Sequence, residues 1–180
     1  MKLKVSLFIL LGVAAGCVDI PDFSDTPVIY YNGVSQRTEF DTISQGEIEI
    51  ATVTIDFEDG DGDLGASAAE VQDKENFTKQ YMNAPGWNLE ANYELVTMIK
   101  RKNGSWSERI MPGDSFKFFQ RLKLDGKSGP IKGTLDMNAR FLKSRSTVPT
   151  WVKFKVRIMD RAFHFSDQIT TDSLLLPILQ

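Results

Sequence analysis

The sequence predicts an all-β fold, an antiparallel sandwich of about eight strands, and three observations carry that expectation. Valine, isoleucine, threonine and aromatic residues recur at alternate positions, the period that sends successive side chains to opposite faces of a sheet. Glycine, proline, asparagine and aspartate cluster between these runs, where turns belong. Extended 3.6-residue periodicity is missing. A chain of 180 residues, 42% hydrophobic and 11% aromatic, has room for one domain with a real core plus a tail, and is too apolar for global disorder.

Residues 1–16 read as a secretory signal. Lys2 and Lys4 supply the positive start, and the apolar run 5–13 is too short for a spanning helix of about 20 residues. Ala14-Ala15-Gly16-Cys17 follows, and small residues before a cysteine resemble the lipobox of bacterial lipoproteins, with Ala14 where leucine is usual. In that family the signal is cut before the cysteine, which then receives lipid. Cys17 is the only cysteine, so no internal disulfide is available and stability must come from the core or a metal. Cleavage removes two lysines and no acid, taking the net charge from −3 to −5. Val18, where aspartate would signal retention, resembles cargo sorted to the outer membrane. Residues 17–26 are then a lipidated, acidic tether, and 27–180 the domain.

Val28-Ile29-Tyr30-Tyr31 opens the domain as a strand, and 35–45 is polar and loop-like. Residues 47–58 carry the strongest strand pattern. Ile48 and Ile50 share one parity and Val53, Ile55 and Phe57 the other, a switch that a β-bulge near Ala51-Thr52 would produce. Residues 66–83 support a short helix, and Ala84-Pro85-Gly86-Trp87 is a turn. Segments 93–100 and 106–110 form a hairpin about Asn103-Gly104, the dipeptide of a type I′ turn. Next come 116–124, an aromatic strand, and 131–142, with Ile131, Gly133, Leu135 and Met137 on one face. Residues 143–149 are a basic loop. Val152, Phe154, Val156 and Ile158 alternate with Lys153, Lys155 and Arg157, a strand with one wet face. The last strand, 168–179, contains Leu174-Leu175-Leu176, a run expected to be covered on both faces. This count is that of an immunoglobulin-like sandwich, and the lack of a Cys…Trp…Cys pattern excludes an antibody-type domain.

The chemistry concentrates in Asp56-Phe57-Glu58-Asp59-Gly60-Asp61-Gly62-Asp63-Leu64-Gly65, the densest acidic cluster. Asp59, Asp61 and Asp63 repel one another, and a cation would offset that repulsion. Calcium takes six to eight oxygens from carboxylates and carbonyls, and glycines let a short loop fold around it. It is not an EF-hand, because Leu64 stands where the loop glycine is required and a strand leads in. The loop is read as a calcium site; the alternative is a solvated acidic turn. If 47–58 is the second strand of an immunoglobulin-like order and 151–159 the sixth, both end at one pole. Asp160, at the start of the 160–167 loop, then supplies a remote ligand, or Arg161 neutralises a carboxylate instead. The two loops are expected to touch.

Val-Thr-Ile-Asp-Phe-Glu-Asp-Gly-Asp-Gly-Asp-Leu-Gly (53–65), Arg-Ile-Met-Asp-Arg-Ala-Phe-His-Phe-Ser-Asp (157–167) and Thr170-Thr171 together resemble a family of uncharacterised lipoproteins of the Bacteroidota. The resemblance implies the location and supports the fold; it implies no activity. The chain is thus expected to be a lipid-anchored, non-enzymatic module of the outer membrane, on its periplasmic or surface face. It would meet the membrane through its anchor, and an envelope protein or glycan through its loops or a sheet face. The alternative is a glycan-binding module stacking sugars on Trp87 or Trp106, with Trp151 in the core. No basic patch stands out to suggest nucleic acid. His164 is the only histidine, which excludes a His-based zinc pair, and no Gly-x-Ser-x-Gly elbow is present. No catalytic residue is assigned.

Overall fold

A computed structural model describes residues 21–144 and 146–179; the expected signal, residues 1–16, and Cys17 lie outside the described residues. Eight strands form two antiparallel sheets. β1 (Val28–Asp41), β2 (Gly46–Asp59) and β5 (Ile131–Leu142) make the first, in the order β1-β2-β5. The second has β3 (Tyr93–Lys100) between β4 (Trp106–Ile110) and β6 (Thr147–Ile158). The far edge of β6 is shared by β7 (Ile169–Thr170) and β8 (Leu174–Leu179).

The inward faces meet in one core. Val53, Ile55 and Phe57 of β2 pack with Phe154, Val156 and Ile158 of β6, and all six are buried. The Phe141 and Phe154 rings touch between the sheets with centroids 6.4 Å apart. Burying these side chains stabilises the fold by roughly 1.5–3 kcal/mol each. A second, smaller cluster sits at one pole, where Tyr81, Ala84, Trp87 and Met159 pack with Phe77, Phe118 and Phe163. Its wall is the helical excursion after the acidic loop: α1 (Ala68–Gln72), a π-helical turn (Lys74–Thr78) and α2 (Lys79–Asn83).

Several expectations need correction. Residues 35–41 are not loop, because β1 pairs with β2 over its full length, from Val28↔Glu58 to Asp41↔Gly46. Their polarity reflects an edge strand exposed on both faces there. β2 has no bulge. The register shift lies in β1 between Tyr31 and Gly33, where the amide of the extra residue, Asn32, donates to both Asp56 carboxylate oxygens at 2.9 and 3.0 Å. Ile50 is buried on the outer face because Arg37 and Arg140 stand directly opposite it on the two neighbouring strands, and their aliphatic stems shield it.

Segment 116–124 is not a strand. Its backbone is satisfied by loops instead: Leu122 N–H donates to Leu64 O, Arg121 N–H to Ala66 O, and the Asn92 side chain holds both the N–H and the carbonyl of Phe119. The count of eight survives because 168–179 divides into β7 and β8. The β3–β4 connection is not type I′, which needs positive φ at both central residues. Only Gly104 (φ 85°) has it there, and Arg101 O accepts from Gly104 N–H at 2.9 Å while Arg101 N–H donates to Ser105 O at 2.8 Å. Leu175 is 45% exposed, so the leucine run of β8 has one open face.

Candidate metal centre

Strand alternation delivers the first two carboxylates. Ala51, Val53, Ile55 and Phe57 point inward, and Asp59 is the next position of that parity. Val152, Phe154, Val156 and Ile158 do the same on β6, and Asp160 follows two residues later. The second and sixth strands run out at the same pole, so both stripes end in the same interior space. Asp59 and Asp160 are each 0% exposed.

The third carboxylate comes from the glycine turn. Gly62 has φ 73°, open to glycine at no steric cost, and a Cβ there would collide with the Gly129 carbonyl. The turn folds Asp63 back so that its N–H donates to Asp59 Oδ2 at 3.1 Å. Single carboxylate oxygens of Asp59, Asp63 and Asp160 all lie within 4.8 Å of one another. Two oxygens held by one calcium ion at about 2.4 Å are at most about 4.8 Å apart. Asp61 stands outside this trio. Its carbonyl accepts from Gly129 N–H at 2.9 Å and its Oδ1 from Asp63 N–H at 3.3 Å, so it ties the loop down from beside the centre.

The two loops meet as expected: the Arg161 and Ala162 amides lie against the Asp63 carboxylate. The Arg161 side chain goes elsewhere. Its Nη1 pairs with Glu70 Oε1 at 2.7 Å, and Arg121 Nη2 pairs with the same oxygen at 2.5 Å. Burial by itself would raise Glu70, but hydrogen bonds from Arg121 and Ser67, with the Arg161 guanidinium, carry it down to about 2. No arginine or lysine pairs with the trio among the described residues. Burial first, then the charges of Asp61, Asp63 and Asp160, pushes Asp59 up to about 7. Asp160 rises to about 6, chiefly through burial, against the opposing effect of His164, whose N–H donates to Oδ1 at 2.8 Å and whose Nδ1 lies 3.1 Å from Oδ2. Asp63 is raised by burial and by Asp61.

Orphaned atoms mark the same place. Asp59 Oδ1, Asp63 Oδ1 and the Tyr81 hydroxyl are buried without a hydrogen-bond partner among the described residues, as is Arg161 Nη1, whose 2.7 Å approach to Glu70 is an ion pair without hydrogen-bond alignment. A buried polar atom left unmade costs about 1–3 kcal/mol, more if charged. The residues therefore fit a hard divalent cation: three carboxylates, oxygen donors only, two of the oxygens unclaimed.

Asp59, Asp63 and Asp160, expected as ligands from the sequence, come together here; Glu70, Arg121, Tyr81 and the pairing of His164 with Asp160 join them only in the folded chain. Glu70 had a local signal, Ser67-x-x-Glu70, and the structure forms that capping box in full. The tryptophans need one correction, at Trp151, and one open position, Trp87, is decided. Trp87 is 2% exposed and donates Nε1–H to Ala91 O at 2.8 Å, whereas Trp151, expected in the core, is 48% exposed. Lys153 Nζ stands 4.6 Å from the Trp106 ring centroid. The chain matches no family model, no curated protein and no solved structure.

Proposed function

We propose that this protein is a lipid-anchored, non-enzymatic β-sandwich of the cell envelope, held to the outer membrane through Cys17, with one pole built around calcium. The observation that carries the calcium reading is charge balance. Asp59, Asp63 and Asp160 converge at this pole, and Arg161, whose own amide lies against Asp63, pairs its guanidinium with Glu70 instead. A divalent ion at this point neutralises carboxylates that burial holds near 6 and 7. Calcium suits it better than magnesium, because a glycine-jointed loop offers the irregular oxygen shell calcium accepts, whereas magnesium demands a near-octahedral one. Bound calcium would fasten the acidic loop to the 160–167 loop and hold that pole rigid for a partner protein or glycan. Trp87, closed into the small cluster, takes no part in such a surface.

Thermal melts of the mature chain in calcium and in chelator test the ion. A rise in midpoint with calcium that disappears in Asp59→Asn is expected, and an unchanged midpoint overturns the reading. Metabolic labelling with palmitate tests the anchor: label in the membrane fraction should vanish in Cys17→Ser, and label that persists refutes it.

A further inference from the structure

Beside the trio lies an open cleft of about 250 Å³, and its walls carry a charge the metal reading does not use. Asp61 and Asp63 form one side. Arg121, Lys123, Lys127 and Arg161 line the rest. The cationic wall is held in place by close backbone approach. Lys123 Nζ donates to Gly129 O at 3.1 Å, and Gly129 N–H holds Asp61 O at 2.9 Å. Lys127 is set by a turn in which its N–H donates to Asp125 Oδ1 at 3.1 Å, while its exposed ammonium makes no hydrogen bond or ion pair among the described residues. Two lysines with hydrogen-bonding capacity to spare therefore face the outer side of the carboxylate trio.

We infer that this cleft binds an oxyanion group of a small ligand, a uronate carboxylate or a sulfate, between Lys123 and Lys127 on one side and the metal on the other. The inference rests on the calcium reading. Three carboxylates supply only part of a shell of six to eight oxygens. Asp59 and Asp160 are closed off from solvent, whereas Asp63 belongs both to the trio and to the cleft wall. The side of the trio that reaches the cleft is therefore the one on which a bound ion would offer its remaining positions. Without the ion, Asp61 and Asp63 repel an anion. With it, the anion meets a divalent cation and two ammonium groups, and charge-assisted bonds to such groups are the strong ones. A cleft of this size accommodates one sugar residue.

The test is calorimetric titration of the mature chain with galacturonate and, separately, with sulfate, each in calcium and in chelator. Calcium-dependent binding of either is expected, and the one that binds identifies the class. Lys127→Glu, an exposed position, should weaken that binding about tenfold or more, with the calcium-induced rise in melting midpoint unchanged. A preserved calcium response with neither anion bound overturns the inference and leaves the metal reading standing. Anion binding that is equal in chelator, or indifferent to Lys127→Glu, overturns it as well. Absence of any calcium response removes both.

Discussion

Asp59→Asn should stabilise the metal-free protein at pH 8 and abolish its response to calcium. Asp59 is fully buried, its Oδ1 has no hydrogen-bond partner among the described residues, and its carboxyl is raised from 3.8 to about 7. A carboxyl with a raised folded-state value keeps its proton longer in the folded chain than in the unfolded one. The resulting stability is complete below about pH 4 and is lost as pH rises toward 7. That gap corresponds to about 4 kcal/mol at 1.36 kcal/mol per pH unit. For a domain of this size it amounts to a midpoint change of about 10 °C. Asparagine keeps an oxygen to accept from Asp63 N–H and removes the charge. In chelator the wild-type midpoint should therefore fall between pH 4 and pH 8, the variant's should fall less, and the variant should melt higher at pH 8. Calcium narrows that gap: at a hundredfold excess over its dissociation constant it adds about 2.7 kcal/mol to the wild type and little to the variant. Differential scanning calorimetry at pH 4 and 8, with calcium and with chelator, reads all of this. A wild-type midpoint that is flat with pH in chelator, or a variant that melts below wild type there, refutes the account of uncompensated buried charge.

Other positions make independent predictions. Glu70→Gln frees Arg121 and Arg161; Arg161 should then swing toward Asp63, and calcium affinity measured by titration should fall several-fold. Gly65→Ala should cost roughly 3 kcal/mol or more in urea unfolding, because Gly65 has φ 93° and a Cβ there would collide with the Gln120 carbonyl. Trp87→Phe should destabilise by roughly 1–3 kcal/mol through its lost bond to Ala91 O and the space it leaves, whereas Trp151→Ala on the exposed face should stay within about 1 kcal/mol in the same urea assay. Gly60→Val should detach the segment before β1, since a Cβ there would run into the Phe23 carbonyl and stand 2.8 Å from Asp25 Oδ1; faster proteolysis near residue 24 is the readout, and unchanged cleavage contradicts it.

The strands and the two inner carboxylates were legible in the chain because alternation is a local property. Once Phe57 and Ile158 face inward, Asp59 and Asp160 must follow, two residues on. The glycines of 60–65 likewise announced a tight loop. Other features depended on what the chain meets. Residues 116–124 have the composition of a strand, yet Leu64, Ala66 and Asn92 satisfy their backbone, so no ladder forms. Residues 35–41 have the composition of a loop, yet β2 lies beside them for their whole length. Trp151 alternates out of the core, while Trp87, in a turn with no period to follow, is enclosed by the helical excursion. The same excursion settles the charge of the pole. Glu70 arrives from α1, far from the second loop in sequence, and takes Arg161 away from the aspartates beside it. No local pattern encodes which carboxylate an arginine reaches. That choice belongs to packing, and it leaves Asp59, Asp63 and Asp160 without an arginine or lysine paired to any of them among the described residues.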